Sequence, residues 1–140
     1  MAAYTERFRP RYYEIDRQGV MFNMWYLGYV DSGVSGFFAA RGLPFAEWER
    51  RGFDLQVVHV ELDYSAGLTD LSDVELSIAP GRIGTKSFTL TFAFATDLDA
   101  AAATTAVVGR IVYAVVAPVE DGAKTGAIAI PDVLREALRA

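Results

Sequence analysis

Hydrophobic positions in this chain recur first at steps of three and four residues and later at steps of two, a change of period that predicts a helix followed by a sheet. Between Met24 and Ala40, Leu27, Val30, Val34, Phe37 and Phe38 form one helical stripe. Gly28, Gly33 and Gly36 interrupt it. Each costs a helix about 1 kcal/mol relative to Ala, so close packing of a sheet around this helix is the expected reason for them. Gly42 suits the helix C-terminal cap, Pro44 the first position of a short helix through Glu49, and Gly52 its end. Ahead of the long helix, residues 8–15 (FRPRYYEI) are aromatic and read as a short first strand, with Pro10 tolerable near its start or on an edge. That strand runs into Asp16 and a turn at Arg17, Gln18 and Gly19.

From Leu55 the period is two. Val58, Val60, Leu62 and Tyr64 alternate with Val57, His59, Glu61 and Asp63, as in a half-exposed strand. Val74, Leu76 and Ile78 alternate with polar neighbours, and Phe88, Leu90, Phe92 and Phe94 alternate with Thr89, Thr91, Ala93 and Ala95. Residues 107–116 are apolar on both faces and predict a central strand. Pro80-Gly81 and residues 98–103 are the expected connections, short enough to demand antiparallel pairing. After 122–126, residues 128–130 add a few strand positions, and Pro131-Asp132 starts a terminal helix with Val133, Leu134 and Leu138 on its apolar side. A helix followed by a meander is an α+β arrangement.

A length of 140 residues suits a single domain spanning 1–140. The absence of cysteine excludes disulfides and thiolate chemistry, and one histidine, His59, excludes an all-histidine metal site within a chain. A net charge of -5 and a pI near 4.8 argue against nucleic-acid binding, which relies on many Lys and Arg. The longest apolar stretch, 105–117, is far shorter than the ~20 residues of a membrane helix and contains Arg110. Residues 1–13 alternate charge with aromatics and show no secretory signal, so no membrane partner and a cytoplasmic location are expected. Counted with Gly in place of Tyr, the apolar share is about 56%, against a usual ~45–50%. The excess predicts an oligomer interface or an apolar ligand slot.

Several motifs fail on inspection. Residues 80–87 (PGRIGTKS) approach a phosphate-binding loop, but Thr85 and Pro80 stand where its glycines belong, and a strand follows instead of a helix. Gly33-Val34-Ser35-Gly36 approaches a nucleophile elbow, but Phe37 occupies the closing glycine position and no strand enters it. His59 shares a strand face with Glu61 and Asp63, and the default is a partly exposed histidine with no special task. Asp31, Asp97 and Asp99 read as solvated charges. Asp16 differs, because this carboxylate sits where an aromatic extended segment turns into a glycine-rich helix. Residues 19–23 separate it from that helix, too far for a plain N-cap, leaving a loop whose N–H groups can face a small cavity beside the carboxylate.

Residues 13–27 (YEIDRQGVMFNMWYL) resemble the opening motif of the 4-hydroxybenzoyl-CoA thioesterase-like family of hotdog-fold acyl-CoA thioesterases, with matches at Asp16, Gly19, Val20 and Tyr26. The likeness continues through Gly42-Leu43-Pro44, through 60–64 (VELDY) and through Lys86-Ser87-Phe88 opening a strand. Asn23 stands where relatives often carry Tyr or His, Trp25 where many carry a small or polar residue, and Ala66 where Pro is common. The resemblance implies a hotdog fold, a long central helix wrapped by an antiparallel sheet of about five strands. It also implies hydrolysis of an acyl or aromatic acyl thioester to free acid and coenzyme A. Asp16 would be nucleophile or general base, near Gly19, with the oxyanion held by backbone N–H groups around Asn23. Substrate contacts would come from Tyr26, from Trp25 and Phe22 if these line a pocket and do not simply pack the core, and from His59. Lys86, with Ser87 beside it, matches the family's strand opening and is expected at the coenzyme A phosphates; Arg82 joins it by proximity. No metal and no cofactor beyond substrate coenzyme A is implied. The expected partners are an acyl-CoA or acyl-carrier-protein thioester and a second copy of the chain, in a homodimer or homotetramer. The rival is a non-catalytic hotdog protein that binds an acyl or polyketide ligand. Enoyl-CoA hydration ranks last, because it needs an Asp and His pair and His59 lies far along the chain from Asp16.

Overall fold

A computed structural model describes residues 3–118 and 126–140. Five strands form one antiparallel sheet: β1 (Tyr4–Phe8), β2 (Asp54–Tyr64), β3 (Val74–Ile83), β4 (Ser87–Thr96) and β5 (Thr104–Val116), in the spatial order β1-β3-β4-β5-β2. Helix α1 (Met24–Ala40, 17 residues) lies on one face of the sheet, and α2 (Asp132–Arg139) closes the C-terminal end. The period-two alternation puts Leu76, Ile78, Leu90, Phe94 and Ile111 on the inner face, where they meet Tyr26, Val30, Val34, Phe37 and Phe38 of α1. Burying each of these large apolar side chains contributes roughly 1.5–3 kcal/mol, which outweighs the helix's three glycines.

Two of those glycines are explained by contact. A Cβ on Gly33 would lie 2.7 Å from Ile78 Cδ1 and 2.9 Å from Leu76 Cδ2, and one on Gly36 would fall on the Tyr4 hydroxyl. Gly28 departs from the expectation, since a Cβ there would meet open space.

The first strand lies earlier than residues 8–15. Strand β1 ends at Phe8, and Tyr12–Glu14 forms a 3₁₀ turn beyond buried Pro10. The ladder to β3 is built by the half-buried alternation of Tyr4, Glu6 and Phe8; Pro10, which has no N–H to donate, follows it, and the aromatic run after the proline is turn. The Pro80-Gly81 connection is also revised. Strand β3 continues through both residues with a register irregularity between Pro80 and Ile83, and the turn is at Gly84, whose N–H donates to Ser87 O at 2.8 Å. Pro80 still pairs with Leu90 of β4, but the β1 ladder has ended at Ile78, so one edge of β3 is free there, the kind of position where a proline's missing donor is tolerated. In β2, Val58 is a bulge between the pairs Val57 with Tyr113 and His59 with Val112, so the expected phase of Val58 with Val60 breaks there. Strand β5 is central as expected, between β4 and β2, although Val108 on its outer face is 42% exposed. The expected strand at 128–130 reduces to an isolated bridge of Ala127 with Val116 and the Ile128 N–H donating to Val115 O. Residues 122–125 of the preceding segment lie outside the described residues. No helix among the described residues is long and apolar enough to cross a membrane.

One buried group in this core has no use in the packing. Tyr113 is 4% exposed, and its hydroxyl has no hydrogen-bond partner among the described residues. Burial, and secondarily the Asp31 charge, pushes the phenol's pKa up, so it stays neutral. An unpaired buried hydroxyl costs about 1–3 kcal/mol. Tyr113→Phe is therefore expected to raise unfolding stability by about 1 kcal/mol in a denaturant titration; a loss of stability would show that the hydroxyl holds a buried partner such as water.

Candidate active site

The loop from Ile15 to Asn23 is held by its own backbone. Asp16 N–H donates to Val20 O (2.9 Å), Gly19 N–H to Asp16 O (3.0 Å), and Ile15 bridges Met21. Gly19 has φ +81, a left-handed conformation that side chains rarely adopt, so this tight reversal needs glycine. Two further bonds dock the loop. Met21 N–H donates to Leu68 O (2.7 Å) on the segment after β2, and Phe22 N–H donates to Glu14 O (2.9 Å). Half-buried Asp16 accepts the Gln18 N–H on Oδ1 at 2.8 Å, as an Asx turn does. The bland role of a turn aspartate is thus real, and it leaves Oδ2 without a bond among the described residues.

Helix α1 begins without a side-chain cap. Asn23 occupies the N-cap with φ -57 and ψ -30, and its side chain makes no capping bond. Trp25 N–H donates to Phe22 O (3.1 Å), but among the described residues the N–H groups of Asn23 and Met24 have no backbone acceptor. Leaving a helix N-terminus uncapped forgoes about 1 kcal/mol. It also leaves open donors at the positive end of the helix dipole.

Asp16, Phe22, Asn23, Tyr26, Tyr64 and Gly67 are among the residues that surround one cavity of about 510 Å³. Tyr26 is 2% exposed, its ring edge-on to Tyr64 (5.3 Å) and Phe94 (5.2 Å). Burial pushes its phenol's pKa up, with smaller pushes from Tyr64 and from the Asp16 charge, against a backbone hydrogen bond from Leu68. The phenol therefore remains a neutral hydroxyl near the carboxylate. The absent side chain of Gly67 lets the segment after β2 lie against Val20 and shape the cavity wall.

A larger hollow, about 860 Å³, is elsewhere, among Arg7, Phe8, Asp73, Asp97 and Asp99. Asp73 there is already paired with Arg9 at 2.9 Å. A third hollow of about 300 Å³ lies on the β1 side of α1, lined by Arg11, Tyr13, Glu14, Trp25, Gly28 and Tyr29 among others. No cluster of metal-ligating side chains exists among the described residues.

Of the residues expected at the site, Asp16, Phe22, Asn23 and Tyr26 come together, and Gly19 shapes the loop without lining the cavity. Trp25 points to the third hollow instead, edge-on to Tyr13 at 5.8 Å. His59 lies on the outer face of the sheet, its Nε2 3.8 Å from Glu61, which also pairs with Arg110. Arg82, Lys86 and Ser87 lie at the other end of the sheet. Phe94, which touches Tyr26, is seven residues along β4 from Ser87, about 23 Å at the usual strand rise. Sequence reading missed the cavity's wall at Ser65 and Gly67 and the buried Glu14 beside the loop, since nothing in a turn-like acid or a small polar segment announces burial.

No protein-family model and no curated protein matches this chain. Solved structures do. A 1,4-dihydroxy-2-naphthoyl-CoA thioesterase from Synechocystis superposes with a TM-score of 0.84 at 12% identity, over 99% of this chain and 96% of that one. The dynemicin thioesterase gives 0.83 at 21% identity, again over 99% and 96%. The 4-hydroxybenzoyl-CoA thioesterase from Pseudomonas gives 0.83 at 16% identity, over 96% and 98%. This chain has the hotdog fold. Its hotdog helix is 17 residues long and places its uncapped end beside Asp16.

Proposed function

We propose that the protein hydrolyses an acyl-CoA thioester to free acid and coenzyme A, with Asp16 as the working carboxylate. The observation that carries this reading is that Asp16 shares a cavity with the open N–H groups at the start of α1. A thioester carbonyl is weakly resonance-stabilised and its thiolate leaves readily, so one carboxylate and an oxyanion site suffice without a Ser-His pair. The carbonyl oxygen takes the developing negative charge toward the Asn23 and Met24 N–H groups, where the helix dipole favours it. Asp16 then either attacks the carbonyl carbon, expelling the thiolate and leaving an anhydride for water to open, or removes a proton from the attacking water. The Tyr26 hydroxyl stands ready as a further donor. One of the solved relatives supports the choice of residue type: a 4-hydroxybenzoyl-CoA thioesterase with Asp exchanged for Asn was crystallised with 4-hydroxybenzoyl-CoA.

Apolar acyl groups fit the Phe22, Tyr26 and Tyr64 walls, and the polyene binding of the dynemicin thioesterase is of that kind. Coenzyme A is polyanionic and, among the described residues, no cation lines the Asp16 cavity. Strand β2 offers the remedy. It is an edge of 11 residues exposing Val57 (53%), Val58 (59%) and Tyr64 (52%), whereas the opposite edge, β1, has five residues. Two β2 strands pairing antiparallel about a two-fold axis continue the sheet and cover this edge. They also bring the partner's Lys86, Arg82 and Ser87 to the Asp16 end of the first protomer, which assigns those residues to the phosphates. His59 and Trp25 are then peripheral contacts of the same bound thioester.

Three outcomes follow from this reading. Asp16→Asn keeps the Oδ1 acceptor for Gln18 and is expected to abolish acyl-CoA hydrolysis, followed with a thiol reagent, while circular dichroism stays unchanged; undiminished turnover sinks the mechanism. Asn23→Pro removes a backbone donor at a φ that proline accepts, so kcat is expected to fall roughly 10²–10³-fold, while Asn23→Ala, which keeps the N–H, stays close to the parent. Equal effects of the two changes would remove Asn23 N–H from the oxyanion site. Light scattering at micromolar concentration is expected to give at least twice the 15.3 kDa chain mass; a monomer contradicts the β2 pairing.

A further inference from the structure

Glu14 is buried to 5% exposure and the mechanism above does not use it. Its Oε1 accepts two short hydrogen bonds, from the Arg11 N–H at 2.6 Å and from the Tyr29 hydroxyl at 2.6 Å. Among the described residues no basic side chain is recorded within ion-pair distance of it. A carboxylate buried without a counter-ion is costly, and its two charge-assisted bonds must offset that cost. An apolar residue would fill the same space without the cost, so position 14 demands an acceptor.

What the acceptor joins explains the demand. Tyr29 lies on α1 and stacks on Phe8 of β1, ring centroids 3.8 Å apart, and Phe8 in turn sits edge-on to Phe94 of β4 at 6.1 Å. Arg11 opens the 3₁₀ turn that leads into the loop. The Glu14 backbone carbonyl meanwhile accepts the N–H of Phe22, the residue before the helix N-cap. One residue is thus fixed to the sheet-anchored helix by its side chain and to the helix entrance by its backbone. Asp16 comes two residues after Glu14, and Asn23 comes one residue after Phe22. The separation between the carboxylate and the open N–H donors is set across this junction. Burial first, and Glu14 second, push the Tyr29 phenol's pKa up, so it stays a donor at any physiological pH.

We propose that the Glu14–Tyr29 pair is a positioning lock, which holds the Asp16 loop in register with the N-terminus of α1. Glu14 lines the neighbouring hollow with Trp25 and not the Asp16 cavity, so it acts through Asp16 and does not touch substrate. This inference rests on the reading of Asp16 as the working carboxylate, and its test separates the two.

The variants are Glu14→Ala, Glu14→Gln and Tyr29→Phe, each measured for kcat and KM on an acyl-CoA and for amide hydrogen exchange. A misplacement near 1 Å costs about 10²-fold, so Glu14→Ala is expected to lower kcat by about that factor with KM nearly unchanged. Glu14→Gln keeps an oxygen for both donors and should recover most of the activity. Tyr29→Phe, which keeps the Arg11 bond and the ring stack, should fall between them. Exchange at amides 18–24 should quicken in Glu14→Ala while β4 amides stay protected. A raised KM at constant kcat would make Glu14 a substrate contact, and a Gln variant as impaired as the Ala variant would make its charge the active feature; either result overturns the lock. If the parent protein cleaves no acyl-CoA, the thioesterase reading fails, and the exchange rates alone then decide whether the lock exists.

Discussion

The close approach of α1 to the sheet at Gly33 and Gly36 is the constraint on which the rest depends. Without Cβ atoms at these positions, Leu76, Ile78 and Tyr4 reach the helix backbone itself. Close packing of that kind fixes the helix along its length as well as in height, because interiors packed at crystal density do not slide. The N-terminus of α1 is thereby committed to one end of the sheet, where the chain after β2 passes with Leu68. Every feature of the candidate site is measured from that end.

A fixed helix end makes an uncapped helix end tolerable. In an isolated helix an N-cap side chain is worth about 1 kcal/mol, a large part of its marginal stability. Here α1 is stabilised by six buried positions against the sheet, so the cap can be dispensed with. Asp16 is the nearest carboxylate in the loop, and it spends one oxygen on the Gln18 N–H of its own turn, not on α1. The result is an acceptor and two donors held close without neutralising each other. Such a pair is unstable against collapse, since a flexible loop would swing the carboxylate onto the donors. In the proposed lock, the bonds that Glu14 accepts from the Tyr29 hydroxyl and the Phe22 N–H resist that collapse from the other side of the loop.

How far this was legible in the sequence depends on whether the information was local. The boundaries of α1 follow from a stripe and flanking loop signals, and they hold. Three of the four long strands follow from alternation and β5 from a run apolar on both faces, and Asp16, Asn23 and Tyr26 converge because they lie within one loop and the first turn of one helix. Local signals misled where pairing decided the outcome. Residues 8–15 have strand-like composition, but β3 offers β1 a ladder only opposite Val74 to Ile78, and the aromatics after Pro10 are left to a turn. Pro80-Gly81 has turn composition, but β4 continues opposite it, with Pro80 paired to Leu90, and the strand runs on to Ile83. The Val58 bulge has no signature at all within β2, since Val suits either phase. For the site, the limit was the third dimension. Lys86, Arg82 and Ser87 are separated from Asp16 by the length of β4, a distance that no local signal in the sequence conveys. Glu14 falls in a segment read as strand and carries no local mark of its role, since its side-chain partner is Tyr29, fifteen residues on.

The same topology accounts for the unusual apolar content. The inner face is filled by α1, which leaves the surplus on the long edge, at Val57, Val58 and Tyr64, and around the helix start, at Phe22, Met24 and Leu27. These two patches flank the Asp16 cavity, because Tyr64 and Phe22 both line it. A surface that covers one patch therefore also narrows the mouth of the cavity. Excluding water there strengthens the interaction of an oxyanion with the helix donors, since charges attract more strongly where the local dielectric is low. In the proposed dimer, assembly and chemistry are consequences of one arrangement: the apolar surface left outside the core lies where its burial sharpens the electrostatics of a single carboxylate and a single helix end.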